Sequence, residues 1–207
     1  MVPTPQGDAR LVTHRARTPV ATLVLTHGAG GGIDAADLVA LAAALPKHGI
    51  SVTLVEMPWR VAGKKLAPRP ELIDQAYRIV LTAVKPRTPL VVGGRSAGAR
   101  SACRVGAEHG AAGVVALAFP LHPPGKPDSS RIEELERAGV PALVVQGERD
   151  PFGTPEEFPA DVDLAVVPSA DHALRVPKKA PVTQEEAHAI VVEAVLEWIV
   201  REVVGIS

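Results

Sequence analysis

Aromatic side chains make up only 3% of the chain, which leaves little surface for stacking bases or sugar rings and means the core must be aliphatic. A single cysteine, Cys103, excludes an intramolecular disulfide and gives no sign of an oxidising compartment. It falls in an Ala-rich helical stretch and reads as a small buried hydrophobe. Neither it nor any of the seven histidines shows ligand spacing, so no metal site is expected. An excess of one charge is missing as well: 22 Lys and Arg against 23 Asp and Glu leave a formal net charge of -1, with no overall attraction to nucleic acid or an anionic membrane. No segment approaches the ~20 apolar residues of a membrane span. The first seven residues have neither the basic nor the apolar region of a secretory leader. A cytoplasmic protein with no nucleic-acid or membrane partner is the expectation.

What the chain does have is a core: 207 residues at 46% hydrophobic fit one α/β domain spanning 1–207. Apolar, β-rich runs at 22–26, 50–55, 89–93, 114–118, 142–146 and 164–167 alternate with helical patterns, as in a mostly parallel sheet with helices on both faces. Such runs predict strands buried on two sides. An edge strand is expected near 9–14. Leu38, Leu41, Ala42 and Leu45 form one helical stripe, with Asp34 expected as N-cap, Gly49 near the end and Pro46 marking an early stop. A second stripe runs through Leu72, Ile73, Ala76, Tyr77, Val80, Leu81 and Val84. A third, through Ala187, Ile190, Val191, Ala194, Val195 and Trp198, is opened by a Thr183-x-x-Glu186 capping box.

Chemistry concentrates in four loops, each following a strand. Val91-Val92-Gly93-Gly94-Arg95-Ser96-Ala97-Gly98-Ala99-Arg100 places a serine in G-x-S-x-G between an apolar run and a helix-compatible stretch. A turn this tight leaves no room for side chains at 94 and 98 and exposes the serine hydroxyl. Leu25-Thr26-His27-Gly28-Ala29-Gly30-Gly31-Gly32 leaves backbone N–H groups free and reads as an oxyanion loop. It lacks the G-x-x-x-x-G-K-[ST] spacing of a phosphate loop. Asp150 follows a third run in Gln146-Gly147-Glu148-Arg149-Asp150-Pro151, and His172 follows a fourth in Ser169-Ala170-Asp171-His172. Serine, acid and base therefore occur in that order: Ser96 as nucleophile, Asp150 as the acid with Glu148 as fallback, and His172 as base. Ala97 N–H, with Ala29 or Gly30 N–H, is the expected oxyanion hole. Among the other histidines, His27 is expected to brace the oxyanion loop.

With these motifs the chain resembles the α/β-hydrolase superfamily over nearly its whole length. The runs from Gly93 to Arg100, Pro120 to Pro127 and Gln146 to Gly153 are similar to a small lidless group related to the testis-expressed 30 protein and the KAT8 regulatory complex subunit 3 domain. The resemblance implies an α/β-hydrolase fold whose first sheet strand is missing, with no lid, because the interval 119–140 holds only a Pro-rich loop and a short helix at 131–137. It implies a serine hydrolase acting on a small-molecule acyl substrate without a cofactor. Carboxylesterase, thioesterase and small-peptide hydrolase remain open. The other class of function is a hydrolase-like scaffold working through a protein partner, and self-association also stays open. His122 and Trp59 are candidate substrate contacts, the latter within a basic segment, 57–70, suited to an acidic substrate or simply solvated. Arg95 reads as a surface or structural ion-pair residue.

Overall fold

The computed structural model describes residues 1–205. Its strands, β1 (Val2–Thr4), β2 (Gly7–His14), β3 (Ala21–Thr26), β4 (Ile50–Glu56), β5 (Leu90–Arg95), β6 (Ala111–Leu117), β7 (Ala142–Gly147) and β8 (Asp163–Val167), form one sheet in the order β1-β2-β4-β3-β5-β6-β7-β8. β2 pairs antiparallel with β1 and β4, and all later pairings are parallel. The strand expected to be missing is present: Gly7, at φ 110°, closes a tight turn that lays β1 back on β2. Three residues containing a proline are too short for a periodic signal, and Pro3 is tolerated on a sheet edge.

Helices α1 (Ala36–Ala44), α2 (Pro58–Val61), α3 (Pro70–Ala83), α4 (Ala97–Val105), α5 (Ile132–Glu136) and α6 (Gln184–Ile199) cover both faces. Along the apolar stretches of β3 and β5, alternate residues enter opposite cores. Val24 and Val92 face Tyr77, Val80 and Cys103 on one side. Leu23, Leu25 and Val91 face Leu38, Leu41, Val195 and Trp198 on the other. The Tyr77 hydroxyl donates to Val24 O at 3.0 Å and Gly93 O at 2.8 Å, tying α3 to both central strands.

Three local expectations need correction. Asp34 does not cap α1; the N-cap position is Ala35, with no side-chain bond, so the helix begins one residue later than the Asp signal suggested. Pro46 does mark the early stop: α1 ends at Ala44, and the proline falls in a 3₁₀ turn, Leu45–His48, which ends in left-handed Gly49. β8 is not buried on two faces: as the last strand it has sheet on one side only, and Asp163 and Val166 are exposed. β5 continues two residues past the apolar run, because Gly94 and Arg95 find partners in Thr26, Ala116 and Leu117 of its neighbours.

The parallel strands end on a common edge, where the loops after β3, β5, β7 and β8 converge. Between β6 and β7 the chain holds one short helix, α5, and no inserted domain.

Candidate active site

The turn from β5 into α4 carries Ser96 at φ 53° and ψ -112°, a conformation that L-residues rarely adopt. Close packing enforces it. A Cβ on Gly94 would lie 2.6 Å from the Gly98 carbonyl carbon, and one on Gly98 would lie 2.8 Å from His27 O. Only glycine fits at either position, so strand, helix and the loop after β3 meet with nothing between them.

Ser96 Oγ lies 2.9 Å from His172 Nε2, and His172 Nδ1 lies 2.7 Å from Asp150 Oδ2. The carboxylate makes Nδ1 the donor, which leaves the Nε2 lone pair facing the serine hydroxyl. Asp150 is wholly buried, yet its oxygens also accept from Gln146 Nε2 at 3.0 Å and Phe152 N–H at 2.8 Å. Three donors offset the cost of removing that carboxylate from water. The Phe152 ring stacks on His172 at 4.1 Å between centroids. Gly147 lets the two loops close on each other: a Cβ there would sit 2.6 Å from Ala170 O.

The loop after β3 passes beside the serine, since a Cβ on Gly28 would lie 3.4 Å from Ser96 Cβ. Its Gly31 N–H bonds Gly28 O at 3.4 Å, whereas the N–H groups of Ala29 and Gly30 have no acceptor among the described residues and both residues are exposed. Ala97 supplies the first N–H of α4, at the positive end of the helix. His27 braces this loop from below. Its Nε2 accepts from Met57 N–H at 3.0 Å, so the proton rides on Nδ1 and is donated to Gly28 O at 2.8 Å. Burial pushes the pKa of this ring down, which keeps it neutral.

Residues 19–200 match the model of a family described as an alpha/beta hydrolase domain. The chain belongs to that family. This alpha/beta hydrolase is similar in fold to a serine hydrolase without a lid from Xanthomonas campestris, at 17% identity and a TM-score of 0.71 over 95% of this chain and 92% of that one. An alpha-beta serine hydrolase homologue from Coxiella burnetii aligns at 18% identity and a TM-score of 0.70, covering 96% and 93%. A dienelactone hydrolase from Anabaena variabilis follows at 16% and 0.68, covering 94% and 92%.

Other sequence candidates lie elsewhere. Glu148 accepts from Ser169 N–H at 2.5 Å rather than facing His172. His122 is buried with both ring nitrogens in use, against Pro123 O at 2.9 Å and Glu157 Oε2 at 2.8 Å, so neither is free for a ligand. Trp59 packs edge-on to His27 at 5.1 Å and lines a cavity of about 350 Å³ with Pro58, Leu66 and Leu72. Sequence reasoning missed Gln146 and Phe152. The first was detectable as a lone amide ending an apolar strand, but the stacking of Phe152 depends on two loops whose meeting no local pattern encodes.

Proposed function

We propose that this alpha/beta hydrolase cleaves an ester or related acyl bond through Ser96, His172 and Asp150. The observation that carries the reading is the unbroken line from Ser96 Oγ through His172 to buried Asp150, at 2.9 and 2.7 Å, on a strained strand-to-helix turn. His172 Nε2 takes the hydroxyl proton as Ser96 Oγ attacks the acyl carbon, and Asp150 holds the imidazolium in place. The carbonyl oxygen, now negative, accepts from Ala97 N–H and from Ala29 or Gly30 N–H. The tetrahedral intermediate collapses, the leaving group departs with the proton from His172, and an acyl-enzyme remains. Water then loses a proton to His172 and attacks the acyl carbon, which releases the acid and restores Ser96.

The uncovered turn, with Ser96 and His172 half-buried and the oxyanion loop exposed, suits small acyl compounds that enter directly from solvent. Carboxyl esters are the first class to test, followed by thioesters and small peptides, since an amine leaving group demands the most of the acid step.

Intact-mass spectrometry after exposure to a fluorophosphonate tests the reading without a known substrate. One adduct per wild-type chain is expected, with none on Ser96→Ala. The variant should also lose activity toward any ester the wild type hydrolyses by ~10⁴-fold or more while keeping its fold. A folded wild type that never labels would overturn this reading in favour of a hydrolase-like scaffold with a protein partner, the alternative that the likeness to the KAT8 regulatory complex subunit 3 domain raises.

A further inference from the structure

Arg95 precedes the serine at the end of β5, and its side chain is only 13% exposed. The guanidinium reaches away from the strand to two separate segments and passes beside Gly28. Nη2 donates to the main-chain carbonyl of His172 at 2.6 Å. Nε lies 3.3 Å from Asp37 Oδ2 in the first turn of α1, and Nη1 lies 3.3 Å from where a Gly28 Cβ would stand in the oxyanion loop. We infer that Arg95 is a positioning residue that clamps the His172 loop to β5 and α1 and so keeps Nε2 in line with Ser96. This inference rests on the reading of Ser96 and His172 given above.

The His172 ring is held by Asp150 and by Phe152, but a ring follows its backbone, and the backbone lies in the loop after an edge strand. The described bonds of that loop run within itself, to the neighbouring acid turn or to the start of α6: Asp171 N–H to Arg175 O at 2.9 Å, Leu174 N–H to Asp171 O at 2.9 Å, Arg149 N–H to Ala170 O at 2.9 Å, and Gln184 Nε2 to Leu174 O at 2.9 Å. The Arg95 bond is the one among them that fastens the loop to the strand carrying the nucleophile. A shift of about 1 Å in such a site can cost ~10²-fold in rate, so this anchor acts on the chemistry without touching the reacting atoms. Asp37, almost fully buried, stands beside the guanidinium as a countercharge. Lysine cannot substitute. It matches the charge but has one nitrogen where the clamp uses a rigid fork.

Arg95→Lys therefore keeps a cation beside Asp37 and removes the fork. Its effect is read in a double-mutant cycle with His172→Ala, using the rate of fluorophosphonate adduct formation and, where the wild type hydrolyses it, kcat and KM for p-nitrophenyl acetate. In the parent, Arg95→Lys should lower the labelling rate and kcat by about 10- to 100-fold with KM nearly unchanged, and in the His172→Ala background it should change nothing further. Equal losses in both backgrounds, or no loss, would overturn the inference. Hydrogen exchange by mass spectrometry decides the matter even for a chain that never labels: residues 171–174 should exchange faster in Arg95→Lys while the central strands are unchanged, and unaltered exchange sinks the clamp. Absence of labelling in the wild type would by contrast count against the hydrolase reading alone. Should Arg95→Lys fail to fold, Arg95→Gln with Asp37→Asn removes both charges together and meets the same tests.

Discussion

At the scale of single residues, Ser96 carries a backbone cost that its neighbours impose. Replacing it by alanine or by glycine removes the hydroxyl equally, so comparing the two variants isolates the backbone. At an ordinary site glycine is the less stable of the pair by roughly 0.5–1 kcal/mol. At φ 53° and ψ -112° the sign should reverse, because relief of ~1–3 kcal/mol of strain exceeds the entropy that glycine adds to the unfolded chain. Ser96→Gly is thus expected to be more stable than Ser96→Ala by about 1 kcal/mol in urea unfolding. The reverse order would show the turn to be unstrained. Much of this residue-level picture was readable in advance. Glycines at 94 and 98 announce contact between strand and helix, and Ser96, Asp150 and His172 each stand just after an apolar run. Arg95 was not readable as anything beyond an ion-pair residue, because its partners are a main-chain carbonyl 77 positions away and Asp37 in a helix whose start the Asp34 signal misplaced.

At the scale of elements, some of the cohesion is local and some depends on pH. The capping box that opens α6 was visible as Thr183-x-x-Glu186, and both of its bonds form: Thr183 Oγ1 accepts from Glu186 N–H at 3.2 Å and Glu186 Oε2 accepts from Thr183 N–H at 2.7 Å. Thr183→Ala should cost about 1 kcal/mol in urea unfolding with activity unchanged, and a neutral result would mean that packing alone sets the start of α6. The loop after β6 is held differently, by His122 and Glu157. Both imidazole nitrogens face acceptors, which only the protonated ring satisfies, and the Pro123 carbonyl, followed by Glu157, raises the His122 pKa above 6.5. Glu157 is shifted the other way, first by the Thr154 N–H and then by His122. A raised histidine contributes stability that is complete below its unfolded pKa and vanishes as pH climbs through the folded value. A lowered carboxylate contributes above its unfolded pKa and loses that contribution as pH falls through the folded one. The pair therefore stabilises most between about pH 5 and 6.5. His122→Asn should lower Tm more at about pH 6 than at about pH 9 in a thermal-shift measurement; a loss independent of pH would mean that the tie is not ionic.

At the scale of the whole molecule, alternation of apolar runs and helical stripes was enough to foresee the sheet and its covering on both faces, and the short interval 119–140 to foresee the missing lid. It failed at the periphery, where β1 is too short to show a period and β8 is exposed by its place at the edge rather than by its composition. Edges are set by which strand lacks a neighbour, a property of the assembled sheet. The scarcity of aromatic residues has an optical consequence. The two tryptophans lie on opposite faces of the sheet, Trp59 in the core beside His27 and Trp198 on the buried side of α6 in the other core. Trp59→Phe and Trp198→Phe each leave one indole emitter, so the two half-cores can be watched separately as the chain is denatured. Coincident midpoints are expected if the central strands bind both halves into one cooperative unit, and two separate transitions would show that they do not. With one indole per face, the sheet becomes a partition between two independently visible compartments, and unfolding can be assigned to a side.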